Sequence, residues 1–273
     1  PERQDVAEGE VAATPIIRHA IGRSDRWRKL HQASVLLTPA GVDMAALEHA
    51  LAAITTHHDA LRLTVDDTGA LFIPPPDAGR SVSLCRLMTA GNTVAERDAT
   101  LQAAYVDAVA RLDPASGRML EAIWADAGQS QPGQLLLVIH HFAIDGVSWR
   151  ILAEDLARAC AQAPDNGSPD LGRKTTSLRQ WSLTQAAQAF RHRDELPYWQ
   201  AVTSRTGLTI ASGLLDPRRD RLGDACYVNR SLPGTITGDL LASVPVAFRA
   251  RINDVLLTAL VLALAVWCER AGQ

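Results

Sequence analysis

The apolar positions along this chain change period several times, and each change marks an element. "ASVLLT" (33 to 38) is a short apolar run suited to a strand. In "DMAALEHALAAITTHHDA" (43 to 60) apolar residues recur at helical spacing, with Asp43 placed to cap the first turn. "LRLTV" (61 to 65) and "ALFIP" (70 to 74) predict two strands around the turn "DDTG", where Gly69 permits a positive φ. "VSLCRL" (82 to 87) adds a strand and residues 94 to 111 a helix. "MLEAIWADA" (119 to 127) and "QLLLVI" (134 to 139) are strands on either side of the polar turn "GQSQPG". A helical stripe then restarts with Val147, Ile151, Leu152 and Leu156.

"QAPDNGSPDLG" (162 to 172) is dense in Pro, Gly, Asp and Asn and is the best internal linker. It divides the chain into 1–172 and 173–273. Beyond it the pattern predicts helices at 176 to 190 and 192 to 202, a short strand "CYVNRSL" (226 to 232), and helices near 235 to 243 and 252 to 270. Residues 1 to 13 are polar and read as loose. Alternating helices and strands predict an α/β sandwich with a mixed sheet.

With 273 residues, 47% of them hydrophobic, the chain can bury a sizeable core in one large domain or in two lobes sharing a cleft. A net charge of -3 with no basic block makes nucleic acid an unexpected partner. Cys85, Cys160, Cys226 and Cys268 are far apart and form no CxxC pair, which points to free thiols in a reducing cytoplasm rather than to disulfides or zinc. No signal peptide opens the chain, and "VLLTALVLALAVW" (255 to 267) is too short to span a bilayer, so it is read as a buried helix and no membrane is expected. The start at Pro1, without methionine, reads as a piece of a longer polypeptide.

The candidate chemistry lies in "QLLLVIHHFAIDGVSWRILAEDLARA" (134 to 159), where a buried-strand pattern runs into His140 and His141. Neighbouring residues leaving a strand point to opposite sides, so one ring packs inward and the other projects. We take His141 as the projecting one, an imidazole able to take and return a proton at neutral pH. Asp145 stands where a helix begins and can cap its exposed N–H groups. "HHD" at 57 to 59 is read as a polar helix C-terminus, and no metal is expected.

"HHFAIDG" (140 to 146) matches the HHxxxDG signature of the condensation-domain superfamily of nonribosomal peptide synthetases. The continuation "DGVSWRIL" resembles the epimerization branch, and "HHDALRLTV" (57 to 65), "KTTSLRQW" (174 to 181), "ELPYWQAV" (195 to 202) and "INDVLLTALVLAL" (252 to 264) resemble further family segments in the right order. The resemblance implies a chloramphenicol acetyltransferase-like two-layer sandwich lobe with a mixed sheet, plus the start of a second lobe. It implies His141 as the catalytic residue, and His140, Asp145, Gly146 and Arg62 as structural neighbours, with Asp145 ion-paired to Arg62. Gly146 would let backbone pass close to the pocket. Ser148 and Trp149 are possible pocket residues, with packing roles favoured.

Epimerization domains invert the α-carbon of an aminoacyl or peptidyl thioester carried on the 4'-phosphopantetheine arm of a peptidyl carrier protein, with no cofactor of their own. A family glutamate in "EGHGRE" supplies a second acid/base group, and that motif does not occur in this sequence. The implied partners are the carrier protein and a missing C-terminal lobe, with self-association through apolar surface at 235 to 270, and the chain alone is expected to be inactive or nearly so. The rival readings are a condensation domain forming an amide bond and a non-catalytic carrier-docking module.

Overall fold

A computed structural model describes residues 5–23, 25–76, 82–162, 169–204, 216, 218–221, 225–226 and 228–270. Part of the linker expected at 162 to 172 therefore lies outside the described residues. The chain forms two compact units, residues 1–194 and 195–273.

The first unit is built on a four-stranded mixed sheet of β2 (His31–Thr38), β7 (Gly133–His140), β6 (Leu120–Asp126) and β5 (Leu84–Met88), in that order. β7 runs antiparallel to both β2 and β6, and β5 runs parallel to β6. Helices α2 (Met44–His57) and α4 (Ser148–Gln162) bury Leu47, Leu51, Ile54, Leu152 and Leu156 against Trp124, Leu135, Leu137 and Ile139 on one face. On the other face α3 (Val94–Arg111) covers Ile123, Ala125, Leu136 and Val138. β6 and β7 are thus covered on both sides, which is why they read as continuous apolar runs rather than as alternating strands.

A small antiparallel sheet of β1 (Gly9–Val11), β4 (Leu71–Ile73) and β3 (Thr64–Val65) packs with α1 (Pro15–Arg23) and Trp27 in a separate core cluster. Gly69 closes its turn at φ 84°, a region that favours glycine. Local signals start the helices. Asp43 accepts from the Ala46 N–H at 2.7 Å before α2, and Thr93 and Glu96 form a reciprocal capping box before α3.

The first unit runs past the expected boundary at 172 because α5 (Leu178–Gln188) is tied to the N-terminus. Arg179 donates to the carbonyls of Glu10 and Val6, and Ser177 bonds both carboxylate oxygens of Asp5 at 2.7 Å.

The second unit contains α6 (Leu196–Thr203), α7 (Gly234–Leu241), α8 (Ser243–Phe248) and α9 (Ile252–Arg270). The strand expected at 226 to 232 does not form in its described residues, which are irregular and exposed. The buried-helix reading of 255 to 267 is also overturned. Of the residues of α9 only Cys268 is buried, and Leu257, Val261 and Leu262 are more than half exposed. Apolar side chains occupy every side of this helix, so a single neighbour cannot cover it. At 19 residues and mean hydropathy 1.8 it is also long and apolar enough to cross a membrane by length and composition alone, unlike the shorter apolar run in the sequence.

Gly133, the first residue of β7, is confined. A Cβ there would lie 2.7 Å from the Ala125 carbonyl oxygen and 2.8 Å from Trp124 Nε1 and Thr38 Oγ1. Gly133→Ala is expected to lower stability by about 1–3 kcal/mol through overpacking, read as a reduced urea midpoint at unchanged m-value.

Candidate functional site

The site forms where β7 ends, beside the segment that enters β2. His140 is the last residue of β7 and pairs in register with His31. Its ring is completely buried, with Nε2 2.7 Å from the Trp27 carbonyl oxygen and Nδ1 accepting from the Phe142 N–H at 3.2 Å. Trp27 stacks on Phe142 at 5.6 Å, and His140 sits edge-on to Phe142 at 4.8 Å. A carbonyl oxygen can only accept, so Nε2 carries the proton and the ring is neutral. Burial pushes its pKa down to about 4.

His141 leaves the strand on the other side and is half-buried. Its backbone N–H donates to the Leu30 carbonyl at 2.8 Å. Nδ1 lies 2.8 Å from the Ile144 carbonyl oxygen, and Nε2 lies 3.1 Å from the side-chain nitrogen of Gln32. The Ile144 carbonyl requires a proton on Nδ1, which leaves a lone pair on Nε2, the form of imidazole that accepts protons. Trp149 Nε1–H donates to Gln32 Oε1 at 2.8 Å.

Asp145 begins α4. Its Oδ1 accepts from Val147 N–H at 3.0 Å, Ser148 N–H at 2.8 Å and Ser148 Oγ at 2.7 Å. These bonds, those from Ser148 first, hold its carboxyl below the ordinary aspartate range. Asp145 is exposed and does not meet Arg62, so the expected ion pair is corrected. Arg62 is buried and its donors are spent elsewhere, on Asp59 Oδ1 at 2.9 Å and on the carbonyls of Thr55, Thr56 and Pro74. It closes the C-terminal end of α2, where a cation suits the carbonyls left open by the helix. Lys174 adds a second cation to Asp59 at 2.9 Å. No close backbone approach is seen at Gly146 among the described residues, since a Cβ there meets nothing within 4 Å.

Two residues that matter here escaped the sequence reading. Trp27 and Gln32 lie in "RWRKLHQA", where an aromatic among charges and a glutamine inside an apolar strand were the available signals.

A cavity of about 290 Å³ reaches the loop from its other side, touching Ala143, Ile144 and Ser148 but not His141. His57, His58 and Asp155 gather on its wall, with ligand atoms within 4.8 Å of one another. His58 Nε2 already bonds Asp155 Oδ2 at 3.0 Å, and burial lowers the His58 pKa. Arg158 stands 3.5 Å from the other oxygen of Asp155. Imidazole rings can ligate a metal, but the Asp155 charge is already shared with a histidine and an arginine, and Lys174 also lines the cavity.

Comparison with known proteins identifies the scaffold. The condensation domain family model matches residues 24–272. The chain belongs to the condensation domain family. It is 32% identical over 273 residues to a component of the linear gramicidin synthase of Brevibacillus parabrevis, covering 97% of this chain and 5% of that protein. The crystal structure of the epimerization domain from the third module of tyrocidine synthetase B superposes with a TM-score of 0.84 at 28% identity, over 98% of this chain and 61% of that one. The first condensation domain of the calcium-dependent antibiotic synthetase superposes at 0.58 and 20% identity over 75% of this chain and 50% of that one, a likeness of fold alone. The condensation-family chain thus spans about three-fifths of the epimerization domain it resembles. That superposition takes in nearly the whole chain, so α9 falls within the aligned fold.

The two charged positions of the motif should separate in stability measurements. Asp145→Ala is expected to cost about 1 kcal/mol, the loss of a helix cap. Arg62→Ala leaves Asp59 with only the exposed Lys174 and strips the carbonyls of Thr55, Thr56 and Pro74 of their donor, and is expected to cost about 3 kcal/mol or more. His140 gives a pH dependence. Its unfolded ring titrates near 6.5 and its folded ring near 4, so the unfolded chain binds more protons in between. Its contribution is complete above pH 6.5 and is lost as pH falls to 4, on the order of 3 kcal/mol. Urea denaturation across this range should show a shallower slope for His140→Gln than for the unsubstituted chain.

Proposed function

We propose that this chain is the histidine-bearing part of an epimerization domain, which inverts the α-carbon of an aminoacyl or peptidyl thioester on the 4'-phosphopantetheine arm of a peptidyl carrier protein. The observation that carries this reading is its likeness to an epimerization domain along nearly its whole length, where the condensation domain compared above follows only three-quarters of it. The continuation Val147, Ser148, Trp149 and Arg150 after the motif supports the same branch.

The chemistry fits the geometry of His141. A thioester acidifies the adjacent α-hydrogen because the charge left behind spreads onto the carbonyl oxygen. With Nδ1–H held by the Ile144 carbonyl, the base is the Nε2 lone pair. That atom, once the thioester displaces the Gln32 N–H from its lone pair, removes the α-proton from one face. Inversion then needs a proton delivered to the opposite face by a second group. The family's "EGHGRE" glutamate has no counterpart in these 273 residues, so the C-terminal lobe that carries it is the partner this reading requires.

Hydrogen exchange tests the proposal. An aminoacyl thioester is loaded on the cognate carrier and incubated in D₂O with residues 1–273, alone and with a C-terminal lobe supplied in trans. Exchange at the α-carbon is expected only with the added lobe, and its loss in His141→Ala by a factor of about 10² or more. Amide formation between two loaded carriers without α-exchange would replace this reading with a condensing one. Carrier binding with neither reaction would leave a docking module.

A further inference from the structure

We propose that Gln32 is a positioning residue whose side-chain amide, oriented by Trp149, dictates which nitrogen of His141 carries the proton. The inference rests on the reading of His141 Nε2 as the base, and extends it to the groups that prepare that atom.

A glutamine amide has one accepting and one donating end, and either can be turned toward a neighbour. Trp149 removes that freedom. An indole N–H only donates, and it lies 2.8 Å from Gln32 Oε1, so the accepting end is committed to Trp149. The donating end is left facing His141 Nε2 at 3.1 Å. A donor facing Nε2 requires a lone pair there. On the far side of the ring, the Ile144 carbonyl 2.8 Å from Nδ1 requires a proton. The two neighbours impose the same tautomer from opposite sides.

The backbone keeps Gln32 in place. It sits in β2 directly opposite Ile139 of β7, one register position from the His31–His140 pair. The amide and the loop it serves are therefore attached to adjoining strands of one ladder.

The arrangement treats the two states of the base unequally. Once His141 has taken a proton, Nε2–H faces the N–H groups of the amide, and two donors oppose one another. Relief comes by turning the amide so that Oε1 accepts from Nε2–H, which breaks the bond to Trp149 and leaves its indole N–H without that acceptor. Trp149 and Gln32 together keep Nε2 unprotonated, cover its lone pair until substrate displaces the amide, and favour return of the proton once taken. The half-buried Trp149 is therefore more than a packing residue of the first turn of α4.

The test reads the ring directly. The 273-residue chain is labelled with ¹⁵N-histidine, and His141 is assigned by its absence from His141→Ala. At neutral pH we expect a protonated Nδ1 and an unprotonated Nε2. Gln32→Glu places a carboxylate, an acceptor, where the amide donated, and the Nε2 signal is expected to move to the protonated position. Trp149→Phe keeps an aromatic ring without the N–H and frees the amide to turn so that Oε1 can accept from a protonated Nε2. The Nε2 signal is then expected to move part-way toward the protonated position while Nδ1 stays protonated on the Ile144 carbonyl. With the C-terminal lobe present, Gln32→Glu is expected to lower kcat for α-hydrogen exchange by about tenfold or more with little change in KM. An unchanged His141 spectrum in both variants would overturn the proposal. Should Gln32→Glu not fold, the Trp149→Phe spectrum alone decides. Because the spectrum needs no turnover, loss of the epimerase reading and loss of this one give different results.

Discussion

Burying His140 as a neutral ring is the constraint on which the site depends. An imidazole with no solvent contact must have both nitrogens engaged, or it carries an unmet polar group into the core. Here the Trp27 carbonyl takes the Nε2 proton and the Phe142 N–H fills Nδ1. Those two bonds set the path of the chain as it leaves β7, and the stack of Trp27 on Phe142 seals it. With His140 committed inward, the alternation of the strand turns His141 the other way. The Leu30 carbonyl then holds its backbone and Gln32 meets its ring. The first histidine is thus scaffold for the second, and the segment from Trp27 to Gln32 serves both.

Two parts of the motif region that look like one electrostatic unit prove to be separate. Arg62 and Asp59 form a buried pair, and the exposed Lys174 ties it to the chain after α4. Asp145 is an exposed cap that organises the first turn of α4 and through it the position of Trp149. The aspartate therefore acts on the histidine at a remove, by starting the helix that holds the tryptophan that orients the glutamine.

What could be read from the chain divides along physical lines. Signals carried within a few residues were legible: the Asp43 cap, the Gly69 turn, and the apolar runs of β6 and β7 that both helical layers cover. The opposed directions of His140 and His141 follow from strand alternation, although which ring was buried depended on Trp27. Pairings across the fold were not legible. The family resemblance pairs Arg62 with Asp145, but an aspartate three residues from Arg62 and three backbone carbonyls around it satisfy the guanidinium first. Gln32 carried no local mark of its role, since its partners lie more than a hundred residues away. Helix α9 misled for a different reason. Its apolar content suggested burial, yet within its own unit it packs chiefly on the short helices α7 and α8.

Those long spans bear on how the site comes into being. The bonds that define it close over 109, 113 and 117 residues, and loops of that length contribute nothing until the β2–β7 ladder has aligned their ends. During synthesis, β2, α2 and the small sheet are all made before the histidines exist. The N-terminal half of the ladder must wait as an unpaired strand edge until β7 has emerged. Assembly of the base is consequently a late event in the life of the chain, and a nascent chain interrupted before β7 would hold most of the core-forming sequence and neither histidine.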